Sequence, residues 1–246
     1  MTDALTFAGL HRAGDPLVLP NVWDVAGARF LVRAGFPALG TTSLGVAAAN
    51  GLPDAAGAAA AETLALTRRL TELPVYVSVD IETGSVAAAV AVAAAGAVGV
   101  NVEDAMGSAE EHAALVGSMK REAPGLFVNA RTDTHWQCRG DLAETLRRVR
   151  LYADAGADGV FVPGLADPAD IAAVVAAVDV PVNILFLPGR HTVAALTDLG
   201  VRRISMGSLL FRAALAATVE TARAVRADRP VPPDLPSYAD VSRPDA

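Results

Sequence analysis

The chain has one cysteine, Cys138, so it can form no intrachain disulfide and lacks the ligands of a cysteine-based structural zinc site. It has one lysine, Lys120, set within a helical pattern, which disfavours an aldolase built on a Schiff-base lysine. Aromatic residues are only 5% of the sequence and leave few platforms for stacking bases. No Lys/Arg cluster offsets the formal net charge of -7, so no nucleic-acid partner is expected; a small substrate, bridged by a cation, suits such a protein better. Charged or turn residues interrupt every apolar run before the roughly 18 residues that span a bilayer, and no membrane segment is expected. The first residues, Met1-Thr-Asp-Ala-Leu, lack the basic start and apolar stretch of a secretory signal, which makes a cytoplasmic location the expectation.

What is abundant is small and apolar. Hydrophobic residues are 52% of the 246 positions and mean hydropathy is +0.38, enough to bury one large core at a length common for an α/β barrel. A unit recurs every 25 to 35 residues or so: a helical pattern, a Gly, a short β-branched run, then polar residues. Gly35, Gly96, Gly156 and Gly200 sit where a helix needs a left-handed terminating residue. Eight strands are predicted, about 17–22, 38–43, 75–81, 98–103, 126–131, 159–163, 180–185 and 203–207. Helices are predicted near 24–34, 57–72, 85–95, 109–122, 141–155, 168–177, 191–198 and 208–226. Strict alternation implies parallel strands with right-handed crossovers, and eight repeats close into a single-domain (β/α)8 barrel over 1–227. A doubly wound open sheet is the competitor, but no G-x-G-x-x-G follows the first strand. Residues 228–246 hold five prolines and read as an irregular tail.

In parallel barrels the reactive side chains stand at the C-terminal strand ends. Alternation along the third predicted strand turns Ser78, Asp80 and Glu82 inward, the fourth Asn101 and Glu103, and the fifth Asn129, Arg131 and Asp133. Carboxylates buried together without a cation are costly, and hard oxygen donors without a His cluster point to Mg2+, with Mn2+ as the alternative. Arg131 suits a two-pronged grip on a substrate carboxylate. Each inward acid or arginine taken singly is sometimes half of a structural ion pair. Asp104 and Asp133 could equally cap the helices that follow, and Trp23 and Asp24 could be a packing residue and an N-cap. Asn183 ends a strand and reads as a hydrogen-bonding ligand or as a partner for nearby backbone, while Gly207-Ser208 and Gly189 lie where barrels bind phosphate.

At this point the sequence resembles the isocitrate lyase and phosphoenolpyruvate mutase superfamily, from about Phe7 to Arg226. The motifs, in order, are Pro20-Asn-Val-Trp-Asp, Thr41-Thr-Ser, Gly51-Leu-Pro-Asp, Val79-Asp-Ile-Glu-Thr-Gly, Val102-Glu-Asp and Ala130-Arg-Thr-Asp. The resemblance implies a Mg2+-dependent enzyme that cleaves or forms a C–C or P–C bond of an α-oxocarboxylate. It implies Asp80, Glu82 and Glu103 as metal site, Glu103 acting through water. It implies Thr42, Ser43 and Arg131 as substrate-holding residues with Trp23, Asp80 and Asn183 beside them, and Asp54, Arg131 and Glu103 as the residues nearest the chemistry. Oxaloacetate-type and phosphonopyruvate-type reactions both stay open.

Three departures limit the likeness. Asp80-x-Glu82 stands where the family has Asp-x-Asp. The Lys-Lys-Cys-Gly-His loop of the lyases is replaced by Ala105-Met-Gly-Ser-Ala-Glu-Glu-His, which disfavours isocitrate or methylisocitrate cleavage by the usual route. His135 and Cys138 in the next loop are candidates for the missing acid, an ordinary loop role being the stronger reading, and His112 follows the shortened loop. The short tail departs from the exchanged helices of lyases and mutases, so a homodimer or homotetramer is expected only from the Ala-rich helix faces. A catalytically silent paralogue that binds α-oxocarboxylates is the rival reading, and the missing loop is its support.

Overall fold

A computed structural model describes residues 7–54, 57–137, 140–231 and 233–242. Its strands are β1 (Leu17–Leu19), β2 (Asn21–Val22), β3 (Ala38–Thr41), β4 (Tyr76–Asp80), β5 (Gly99–Glu103), β6 (Phe127–Arg131), β7 (Gly159–Val162), β8 (Val182–Leu185) and β9 (Arg203–Ser205). All pairings are parallel, in the order β1-β9-β8-β7-β6-β5-β4-β3-β2. β1 pairs with β9 and β2 with β3, so two halves of one strand close a (β/α)8 barrel of a single domain. The sequence predicts that strand unbroken over 17–22. It breaks at Pro20, which has no N–H to give the ladder, though its carbonyl still accepts from the Gly40 amide at 2.8 Å.

The helices are α1 (Val25–Arg33), α2 (Ser43–Ala49), α3 (Ala60–Leu70), α4 (Val86–Ala94), α5 (Ala109–Glu122), α6 (Leu142–Asp154), α7 (Pro168–Ala177), α8 (Val193–Asp198), α9 (Leu209–Arg226) and α10 (Tyr238–Ser242). Side chains of Asp24, Ser85, Ser108, Asp141, Asp167 and Thr192 cap six of them by accepting from backbone amides. Gly35, Gly96, Gly156 and Gly200 take φ of 88°, 95°, 100° and 84°, the left-handed endings the repeat predicts. Two helices depart from expectation. α2 follows β3 directly, because Thr42 is a good N-cap before a run of small residues. α10 interrupts the tail expected to be irregular, where Ser237 and Asp240 hydrogen-bond each other, and Arg33 Nη2 reaches the Asp240 carbonyl at 3.3 Å. Among the described residues no helix is long and apolar enough to cross a membrane.

The main core lies between strands and helices, where Val77, Val79, Val100, Val102, Val128 and Val160 meet Leu66, Leu70, Val92, Val116 and Val149. A second cluster plugs the barrel's N-terminal end: Phe7, Leu17, Leu19, Ala38, Val98 and Phe127. His11 stacks on Phe127, with ring centroids 4.6 Å apart. Above the plug the interior turns polar. Arg203, only 1% exposed, donates from Nη2 to Ser78 Oγ at 3.3 Å and to Asn101 Oδ1 at 3.2 Å. Burial lowers its pKa to about 9, the nearby Asp80 charge opposing. Asn101 Oδ1 also accepts from Asn129 Nδ2 at 2.7 Å. This polar layer is the floor on which the barrel mouth stands.

Candidate active site

The C-terminal strand ends enclose a cavity of about 290 Å³. It is lined by Asp54, Asp80, Glu82, Glu103 and Asp133, against two guanidiniums, Arg131 and Arg212. Glu103 and Arg131 are in register on β5 and β6, and Arg131 Nη1 meets Glu103 Oε2 at 2.7 Å. Arg131 Nε donates to Asp133 Oδ1 at 2.6 Å. Burial acts to lower the Arg131 pKa, but Glu103, Asp133 and Asp80 outweigh it and the net shift is upward, so this group stays charged. With Nε and Nη1 committed to protein carboxylates, the two-pronged substrate grip expected from sequence contracts to the Nη2 side.

Asp80 closes β4. Its backbone N–H donates to Thr41 Oγ1 at 2.8 Å, its Oδ1 accepts from the Glu82 amide at 3.4 Å, and the nearby Ser43 amide and hydroxyl favour its charged form. Burial pushes this carboxyl upward against the pull of Arg131. Thr42 caps α2, which sets Ser43 facing Asp80. Glu82 lies beyond the strand that sequence alternation assigns it to, at a left-handed φ of 54°, and its Oε2 accepts from the Gly57 amide at 2.9 Å. Glu103 is driven up to about 7, first by burial and then by the charges of Asp80, Asp133 and Glu82, although Arg131 opposes them.

Acid in such excess over base, with ionisation resisted by burial, is an arrangement that a bound cation would stabilise. Among the described residues the cavity wall offers carboxylate oxygens and no histidine, a donor set that fits a hard ion such as Mg2+ or Mn2+. Among the described residues no three His, Cys, Asp or Glu side chains stand close enough to bind one ion unaided. Mg2+ characteristically keeps several waters and uses one or two carboxylates, which is the arrangement this spacing admits.

Of the residues singled out in sequence, Thr42, Ser43, Asp54, Asp80, Glu82, Glu103, Arg131, Asp133 and Ser208 share the cavity wall. Trp23 and Asn183 stand off it. Trp23 packs edge-on against Phe211 at 5.2 Å, and Asn183 is fully buried in the polar layer. His112 is buried against Tyr152, 4.6 Å between rings, and burial takes its pKa to about 4. His135 is partly buried off the cavity wall, and Cys138 lies outside the described residues. Lys120 is at the opposite end of the barrel, bonded to Asp158 at 2.7 Å. Asn21 and Arg212 were not anticipated. Asn21 Oδ1 accepts from the Met206 and Gly207 amides, both at 2.9 Å, and Nδ2 donates to the Thr41 carbonyl. Gly40 makes room for it, since a Cβ there would lie 2.5 Å from Asn21 Nδ2. Arg212 sits one turn into α9, a position readable from the strand-then-helix pattern once the last strand is placed.

A closed parallel barrel with acids and an arginine converging at its strand C-termini is the layout of barrel enzymes that handle small anions. Residues 7–226 match the family model described as phosphoenolpyruvate phosphomutase, and the chain belongs to that family, within the isocitrate lyase and phosphoenolpyruvate mutase superfamily of enzymes. An uncharacterised Mycobacterium tuberculosis protein is 42% identical over 248 residues, covering 96% of this chain and 95% of the relative. A Burkholderia cenocepacia J2315 crystal structure, provisionally named a phosphonomutase, is 38% identical, with a TM-score of 0.84 over 90% of this chain and 99% of that one. A phosphonopyruvate hydrolase solved with oxalate and Mg2+ shares the fold at 22% identity and a TM-score of 0.83, covering 98% of this chain and 94% of that one.

Proposed function

We propose that the protein is a divalent-cation-dependent lyase or hydrolase that breaks a C–C or P–C bond of a small α-oxocarboxylate of the oxaloacetate or phosphonopyruvate kind. The observation that carries this reading is the convergence of five carboxylates beside Arg131 on one cavity. Asp80, Glu82 and Glu103 are the residues that hold Mg2+ or Mn2+, in large part through water. When bound, the cation supplies positive charge beside the oxyanion that develops as the bond breaks. Arg131 Nη2 takes a substrate carboxylate, and Ser43 orients both Asp80 and the substrate. Asp54 stands next to the scissile bond, while Phe161 and Phe186 keep one wall of the cavity apolar. Charge appears mainly as the bond breaks, so this placement favours the transition state over the ground state. The phosphonopyruvate hydrolase of like fold holds an anion and a cation of the kinds assigned here.

The exposed face of α9 supports a further element of the proposal, a homodimer or homotetramer. Phe211 anchors the first turn against Trp23, and beyond it Leu215 and Val219, 51% and 48% exposed and one turn apart, continue the apolar stripe into solvent.

The test is product analysis by NMR after incubation with oxaloacetate, phosphonopyruvate, 2-alkylmalates and methylisocitrate in the presence of Mg2+. Pyruvate, oxalate, acetate or phosphate released from one of them supports the proposal and names the bond. Mg2+-dependent binding of oxalate with no product from any would favour the silent paralogue, whose one structural support is the short loop after β5.

A further inference from the structure

Asp104 sits just past Glu103 and its side chain is fully buried, yet it does not line the cavity. Its carboxylate receives four hydrogen bonds. Oδ1 accepts from the Met106 amide at 3.0 Å and the Asp133 amide at 3.1 Å, and Oδ2 from Arg148 Nη1 and Tyr152 Oη, both at 2.7 Å. The loop it holds is strained: Ala105 and Met106 take φ of 45° and 61°, a left-handed region that side-chain-bearing residues rarely adopt. That strain is clamped at both ends. The Gly107 amide donates to the Asp104 carbonyl at 2.7 Å, and Arg148 Nη2 to the Gly107 carbonyl at 3.0 Å. Arg148 is itself held by Glu144 at 2.6 Å.

Two loops therefore meet at one carboxylate, and one of them carries Asp133, which grips Arg131 Nε. We propose that Asp104, Arg148 and Tyr152 form a positioning clamp for Arg131, and that the loop after β5 is a fixed strap behind the site rather than a cover that closes over substrate. Arg148 and Tyr152 touch no part of the cavity; they act on Arg131 through Asp104 and the Asp133 backbone. That Arg131 meets the substrate rests on the function proposed above, whereas the mechanical link does not.

Tyr152→Phe removes one hydrogen bond and no ring volume. In 15N-arginine-labelled full-length protein, hydrogen exchange of the Arg131 Nε–H should run about tenfold faster in Tyr152→Phe than in wild type, the effect of one hydrogen bond to a charged group. Calorimetry with oxalate and Mg2+ should show about tenfold weaker binding, and that loss should vanish in an Arg131→Lys background, because a double-mutant cycle couples residues that act through one another. Unchanged Nε–H exchange in a cooperatively folded Tyr152→Phe protein overturns the clamp, as does a loss of oxalate affinity that simply adds to that of Arg131→Lys. Wild-type protein that ignores oxalate while the exchange rate responds would sink the proposed function and leave the clamp standing.

Discussion

Glu103 and Arg131 stand opposite each other in register across β5 and β6, and their side chains meet at 2.7 Å in a site where each is about one-seventh exposed. Removing the cation from such a pair strands a carboxylate in a place that resists ionisation. Arg131→Met should therefore destabilise the fold by about 3–5 kcal/mol in urea unfolding, while Arg131→Lys, which keeps the charge but loses the fork, should cost far less stability. Turnover should fall about 100-fold or more in both. Full activity in the lysine variant would mean that the planar fork is not used.

Gly40 is the position where Asn21 crosses from β2 to the loop before α9. Gly40→Ala places a methyl group 2.5 Å from Asn21 Nδ2 and should cost about 1–3 kcal/mol, lowering Tm. Because Asn21 also holds the Met206 and Gly207 amides on the cavity wall, substrate affinity should drop with it. An unchanged Tm would show that Asn21 has another rotamer open to it.

Acid sensitivity follows from two buried histidines. His11 is lowered to about 3, by burial first and by Arg203 second, and His112 to about 4, by burial. Both lie below the unfolded value of about 6.5, so between these limits the unfolded chain binds more protons. Their contribution is complete above pH 6.5 and is lost as pH falls toward 4 and 3, with a slope of about 1.4 kcal/mol per pH unit for each. His11→Phe keeps the stacking on Phe127 and should flatten that limb by one proton; equal slopes for variant and wild type would contradict the assignment.

If α9 forms the subunit contact, the paired change Leu215→Glu and Val219→Glu should lower the molar mass seen by light scattering without altering the circular dichroism spectrum. The same mass for variant and wild type would place the interface elsewhere.

The barrel was legible because its signals are local. Gly35, Gly96, Gly156 and Gly200 mark helix ends through backbone conformation alone, and β-branched runs mark strands. The placement of the cavity's charged residues was legible for the same reason, since period-two alternation sends Asp80, Glu103 and Arg131 to one end. What escaped depends on tertiary placement. Pro20 interrupts a strand whose two halves then pair with different neighbours, β9 and β3, and Glu82 reaches the cavity by a left-handed turn that alternation does not describe. Asp104 could be read as a helix cap, and only the arrival of Tyr152 and Arg148 from α6 makes it a junction. Asn183 has the right strand position but lies one layer too deep, and Trp23 packs on a helix that begins 186 residues later, at Leu209.

The central claim is that the acid cluster and a divalent cation together break a bond. The most direct measurement is the initial rate of product release from oxaloacetate and phosphonopyruvate, with Mg2+, with chelator and in Asp80→Ala. The account predicts turnover of one substrate that chelation abolishes, Mg2+ restores and Asp80→Ala reduces by at least about 100-fold. Turnover that survives both the chelator and the substitution would contradict it.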